Sequence, residues 1–138
     1  MHIPDHLEVN EGICHFGPRG ECTLVEAVAL ITSAIAYCRD RRISKLLVDA
    51  TGLVGVAIPT LIDRFLMAEE WAYEGKGRVV TAMVVPPEYI HPKKFGMRVA
   101  ADLGMVADVF TAKEDALTWL SSSPNPGDLT ARGLRPLR

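Results

Sequence analysis

The chain has 138 residues, a formal net charge of −2 and a pI of about 6.1. That length suits one domain with one core, and 49% hydrophobic against 23% charged residues excludes a chain disordered over its bulk. The slightly acidic balance argues against a general binder of nucleic acid or anionic membrane, because both need a basic face.

Residues 1–12, MHIPDHLEVNEG, lack the basic and apolar regions of a signal peptide. No apolar run approaches the ~20 residues of a membrane span. The three cysteines (Cys14, Cys22, Cys38) have no short metal-type pairing, which reads as reduced thiols in a cytoplasmic protein. Residues 6–10 and 13–16 are short extended runs around Asn10-Glu11-Gly12, and they predict an N-terminal β-hairpin. Thr23-Leu24-Val25-Glu26 has the form of a capping box. It opens a predicted helix over 23–41, with Leu24, Val28, Ile31, Ile35 and Cys38 inward and a mostly basic end.

Residues 46–50 read as a buried strand ending in Asp49, followed by the turn Ala50-Thr51-Gly52 and a small-residue loop. Pro59 is expected in the first turn of a second helix. Ile58, Leu61, Ile62, Phe65, Ala68 and Ala72 form its predicted buried stripe; Asp63, Arg64, Glu69 and Glu70 are expected in water, and Gly75-Lys76-Gly77 ends it. Residues 79–85, VVTAMVV, are apolar on both faces and read as a central strand stopped by Pro86-Pro87. A third helix is expected from Pro92, with His91 at its N-cap, Phe95, Val99 and Leu103 inward and Gly104 as its stop. Residues 105–110 give a further strand. Thr111-Ala112-Lys113-Glu114 has the form of a second capping box and opens a fourth helix, with Ala116, Leu117 and Leu120 inward. The expected fold is α/β: an N-terminal hairpin, then repeated αβ units forming a mainly parallel sheet of about five strands with four helices. Residues 1–121 form the expected single domain, and the Ser-, Pro-, Gly- and Arg-rich segment 122–138 an expected disordered tail.

Two stretches, LLVDATG at 46–52 and YIHPKKFGMRVAADLGMVADVFTAKEDALTWL at 89–120, give the chain its resemblance to the STAS superfamily (the SpoIIAA-like fold of bacterial anti-sigma-factor antagonists), and most closely to small STAS-like bacterial proteins. These share a wider fold with CRAL-TRIO lipid-binding domains. The resemblance spans about residues 6–121 and implies a STAS-like fold and a regulatory, protein-binding role. In the antagonists the loop after this strand carries Asp-Ser-Ser-Gly, with a serine that is phosphorylated to break the partner complex. Here that position reads Ala57-Ile58-Pro59-Thr60, leaving Thr60 as the nearest hydroxyl. Thr60 is not expected to be a regulated phosphosite.

Asp49 is a candidate site acid, or an Asx-turn residue bonding the backbone of Thr51 or Gly52. Thr51 and Gly52 could belong to an anion nest or to a plain turn. His91 could form a pocket with Tyr89 and Lys93 or serve as a cap. Lys94 with Lys93 and Arg98 gives a basic helical face, suited to an acidic partner or simply solvated. Trp71 and Trp119 read as core edges. Cys14 and His15 are neighbours on a strand and point to opposite faces, so they form no nucleophile–base pair. The four scattered histidines give no zinc pattern. No Walker or GxGxxG pattern implies a nucleotide cofactor. No nucleophile, base and orienter stand at plausible positions, so no enzyme is expected.

The expected function is a non-enzymatic binding or regulatory module, presenting the loop 50–60 and the following helix to a partner protein. The alternative is a carrier of a small apolar molecule or lipid. The partner- or ligand-binding candidates are Asp49, Thr51, Gly52, Thr60, His91 and Lys94; no cofactor, metal or nucleic acid is expected. With most helices on one side of the sheet, Val79, Met83 and Val85 would help form a second apolar face. An open edge strand adds to this, so a homodimer is expected.

Overall fold

The computed structural model describes residues 6–123. The expected tail from residue 124 lies outside the described residues; Ser122, assigned to that tail, instead closes the last helix.

The chain begins with β1 (Leu7–Asn10) and β2 (Ile13–Phe16), an antiparallel hairpin in which Leu7 faces Phe16. Gly12 turns at φ +80°, a conformation that suits a residue without Cβ. A two-residue strand, β3 (Gly20–Glu21), precedes α1 (Leu24–Arg41). The capping box is present: Thr23 Oγ1 accepts from the Glu26 N–H at 3.1 Å, and Glu26 accepts from the Thr23 N–H at 2.9 Å. Strand β4 (Lys45–Asp49) leads through a 3₁₀ turn at Ala50–Gly52 into the short β5 (Leu53–Val54). Next come α2 (Leu61–Gly75), β6 (Val80–Val84), α3 (Phe95–Asp102), β7 (Ala107–Phe110) and α4 (Lys113–Ser122).

The main sheet has the order β1-β2-β4-β6-β7, parallel except for the hairpin. Strands β3 and β5 form a separate parallel pair, too short to leave a period in the sequence. The ladder register aligns Phe16, Val48, Met83 and Val109 in one row. That row faces α1, α2 and α3, where Cys14, Ile35, Cys38, Leu46 and Trp71 complete the larger core. Side chains alternate across a strand, so Leu47, Val80, Ala82 and Val84 point the other way. There α4 covers them with Ala116 and Leu120, flanked by Phe110, Leu117 and Trp119.

This arrangement corrects the sheet-face argument for a homodimer. Val79 and Met83 belong to the three-helix core, and Val85 borders a cavity on that side. The second face is covered by α4 rather than by a second copy.

Three helix starts also differ from expectation. Pro59 precedes α2; its N-cap is Thr60, which accepts from the Asp63 N–H at 3.1 Å, while Asp63 accepts from the Thr60 N–H at 2.9 Å. An aspartate fills the position where a capping box usually carries Glu or Gln. Thr60→Ala is expected to cost about 1 kcal/mol, about 4 °C in Tm for a domain of this size, and an unchanged thermal melt would contradict the cap. Helix α3 starts at Phe95 rather than Pro92, with Lys94 in the left-handed region (φ 49°) at its N-cap and no side-chain cap. At α4 the N-cap is Ala112, again without a side-chain hydrogen bond, so Thr111 does not form the expected box.

The predicted stripe on α2 is buried at Ala68 and Ala72, as expected, and exposed over its first half. Leu61, Ile62 and Phe65 are exposed, Ile62 to 72%. The buried residues are Ala68, Trp71, Ala72 and Gly75. On α3 the core residue is Ala100, and Leu103 is exposed.

Candidate functional site

The six candidate residues fall into two places and one surface position. Asp49, Thr51 and Gly52 border a polar groove of about 630 Å³ at the end of β4, on the α4 side of the hairpin. His91 and Lys94 border an apolar cavity of about 390 Å³ between the sheet and helices α1, α2 and α3. Thr60 stands exposed at the start of α2, its hydroxyl accepting the Asp63 N–H.

In the groove, Asp49 Oδ1 accepts from the Thr51 N–H at 3.1 Å and from the Thr51 hydroxyl at 2.6 Å. This is an Asx turn, and it occupies Asp49 and Thr51 with each other. Gly52 serves close packing: a Cβ there would come within 3.0 Å of the Pro18 carbonyl oxygen and 3.1 Å of the Arg19 Cγ.

His15 shares this groove with Glu8 and Lys113. Burial, and next the Lys113 ammonium, hold its imidazole below the ordinary histidine pKa, with Glu8 opposing. Protonation therefore favours the unfolded chain. The stability this neutral ring contributes is present above about pH 6.5 and is lost as pH falls through the lower folded-state value. The His15 ring proton is expected to titrate in NMR with a midpoint below about 6.5, and His15→Gln should flatten stability against pH in that window. A midpoint above 6.5 would contradict this placement.

The cavity sits at the C-terminal end of the sheet, where open α/β folds commonly bind ligands. Its walls are mainly apolar: Leu53 and Val56 from the loop, Met67 and Trp71 from α2, Met83 from β6 and Val109 from β7. The Trp71 indole N–H donates to the Val28 carbonyl at 3.3 Å, which ties α2 to α1 beside the cavity. His91 is not a helix cap; its Nδ1 accepts from the Lys93 backbone N–H at 3.1 Å, and its ring lies 6.2 Å from that of Phe95. Lys94 leaves the expected basic face to pair with Asp108 at 2.8 Å. Arg64, expected in water, is half-buried at the cavity wall and donates to the Tyr89 carbonyl at 3.0 Å. Arg64, Met67 and Trp71 are the lining residues that sequence reading missed or assigned elsewhere. Their spacing of three, four and seven was a helical signal, masked by the stronger apolar stripe beside it.

That stripe is a third feature. Val54, Ile58, Leu61, Ile62, Phe65 and Leu66 are all exposed, between 42% and 72%. Residues 61, 62, 65 and 66 are neighbours on one helical face, and Val54 and Ile58 come from the loop leading into it.

Comparison with family models and with curated proteins finds no match. Solved structures do match. The crystal structure of an anti-sigma factor antagonist from Mycobacterium paratuberculosis superposes with a TM-score of 0.52 at 15% identity, covering 84% of this chain and 92% of that one. The NMR structure of the protein TM1081 gives a TM-score of 0.47 at 11% identity, covering 89% of this chain and 92% of that one. With an N-terminal hairpin, a mainly parallel five-stranded sheet and four helices among the described residues, the chain has a STAS-like fold.

Proposed function

We propose that the chain is a cytoplasmic, non-enzymatic regulatory module of STAS type, and that it binds a partner protein through the loop 54–59 and the outer face of α2. The observation that carries this reading is the run of exposed apolar side chains at Ile58, Leu61, Ile62, Phe65 and Leu66. Scattered exposed apolar residues are ordinary, whereas a contiguous patch of them on a soluble domain marks an interaction surface. The fold shared with an anti-sigma factor antagonist supports a regulatory, protein-binding role. A phosphate switch at Thr60 is not part of this reading, because its hydroxyl serves as the cap of α2.

The test is affinity capture from the host cell with two variants. Phe65→Asp puts a charge in the patch. Val25→Asp puts one on the exposed side of α1, where Val25 is 79% exposed. A protein retained by the native chain and by Val25→Asp is expected to be lost from Phe65→Asp, with circular dichroism showing both variants folded. Retention of the same proteins by Phe65→Asp would overturn the assignment. A second copy of the chain is another occupant of this surface. Sedimentation equilibrium at micromolar concentration tests it, and a single species at 15.1 kDa would exclude it.

A second reading, a carrier of a small apolar molecule, is favoured by the cavity. Its volume lies within the ≈ 300–1,000 Å³ of small-molecule sites, and it has their mainly apolar walls with a few polar groups.

A further inference from the structure

The polar side chains described at the cavity, Glu88 aside, can all donate hydrogen bonds. Lys94 is neutralised by Asp108. Arg64 is not: among the described residues its guanidinium makes no ion pair, and its Nη1 donates to the Tyr89 carbonyl. A guanidinium carries five N–H donors, so most of the fork remains available. His91 Nδ1 accepts from the Lys93 N–H, so a neutral ring carries its proton on Nε2 and offers another donor. Gly96 and Met97, in the uncapped first turn of α3, border the same space and add a field of the same sign. Glu88, the one acid among the described lining residues, is exposed, where water and salt screen it.

From this arrangement we propose that the cavity binds an apolar monocarboxylate. Its chain lies among Met67, Trp71 and Met83, and its carboxylate sits on the Arg64 fork. The proposal rests on reading the cavity as a ligand site and adds the class of ligand. A carboxylate matches the planar fork with two parallel hydrogen bonds. A neutral chain of the same length would bury the same apolar surface and leave the fork unused. Arg64 also comes from the inner side of the helix whose outer side carries the exposed patch.

The experiment is calorimetric titration of the full chain with octanoate and with 1-octanol. Octanoate is expected to bind at one site roughly tenfold tighter than octanol, the difference a charged hydrogen-bonded pair supplies. Arg64→Gln should bring octanoate down to the level of octanol and leave octanol unchanged. Arg64→Lys, which keeps the charge and loses the fork, should fall between them. Thermal melts check that each variant folds. Equal affinity of the native chain for the two probes would overturn the carboxylate assignment while the cavity stood as an apolar site. Binding of neither probe would overturn both.

Discussion

Truncating Leu120 to alanine is expected to remove about 3 kcal/mol of stability. Leu120 is fully buried and, with Ala116, forms the inner side of α4 against Leu47, Val80, Ala82 and Val84. A buried Leu→Ala change loses the transfer free energy of the removed atoms and leaves a cavity, together worth about 2–5 kcal/mol. Among the described residues α4 is the only helix contributing buried residues to this second core, so little else can collapse into the space. Ile62→Ala is the control, because a side chain 72% exposed on α2 should change stability by less than about 0.5 kcal/mol. Denaturant titration of the two variants reads the difference. A loss at Ile62 equal to that at Leu120 would mean that the α2 stripe is packed after all.

Trp71→Ala is expected to cost more, about 4 kcal/mol, within the range for removing a buried large aromatic. Trp71 is 3% exposed, packs in the larger core, and ties α2 to α1 through its hydrogen bond to the Val28 carbonyl. Trp71→Phe keeps most of the apolar contact, gives up the indole N–H and leaves the Val28 carbonyl without that donor, so it should cost about 1–2 kcal/mol. The measurement is again equilibrium unfolding, now with all three side chains compared. A cost below about 1 kcal/mol for Trp71→Ala would show that the wall of the cavity is not part of the core.

The order of elements was legible because each carries a local signal. The strand at Val80–Val84 is apolar on both faces, as a strand covered from both sides must be. The capping box at Thr23 and Glu26 fixed the start of α1 to within one residue. What the sequence could not show was how much of the α2 stripe meets the core. Hydrophobic spacing at 58, 61, 62, 65 and 66 states that one face is apolar, and a folded chain ordinarily buries such a face. Here the inner side is built from Ala68, Trp71, Ala72 and Gly75, small residues around one large one, with Arg64 and Met67 at its cavity end. The first part of the expected stripe, Ile58, Leu61, Ile62 and Phe65, therefore lies outside the core and belongs to the candidate docking surface, while Ala68 and Ala72 are buried as expected. The cavity was illegible for a related reason. Its lining comes from loop, helices and strands that only the sheet order brings together, and Arg64 reads in isolation as one more solvated charge. Asp49 and Thr51 were legible as a turn, and the structure joins them in that turn. Lys94 was legible as a cation, but its partner Asp108 lies in the next strand, beyond any helical spacing.

Hydrogen exchange of the chain, alone and in complex with the protein it retains, tests the docking surface most directly. The account predicts new protection concentrated in residues 53–66, with α4 and the β1–β2 hairpin unchanged. Protection confined to α4 or to the hairpin, with 53–66 exchanging as in the free chain, would contradict it.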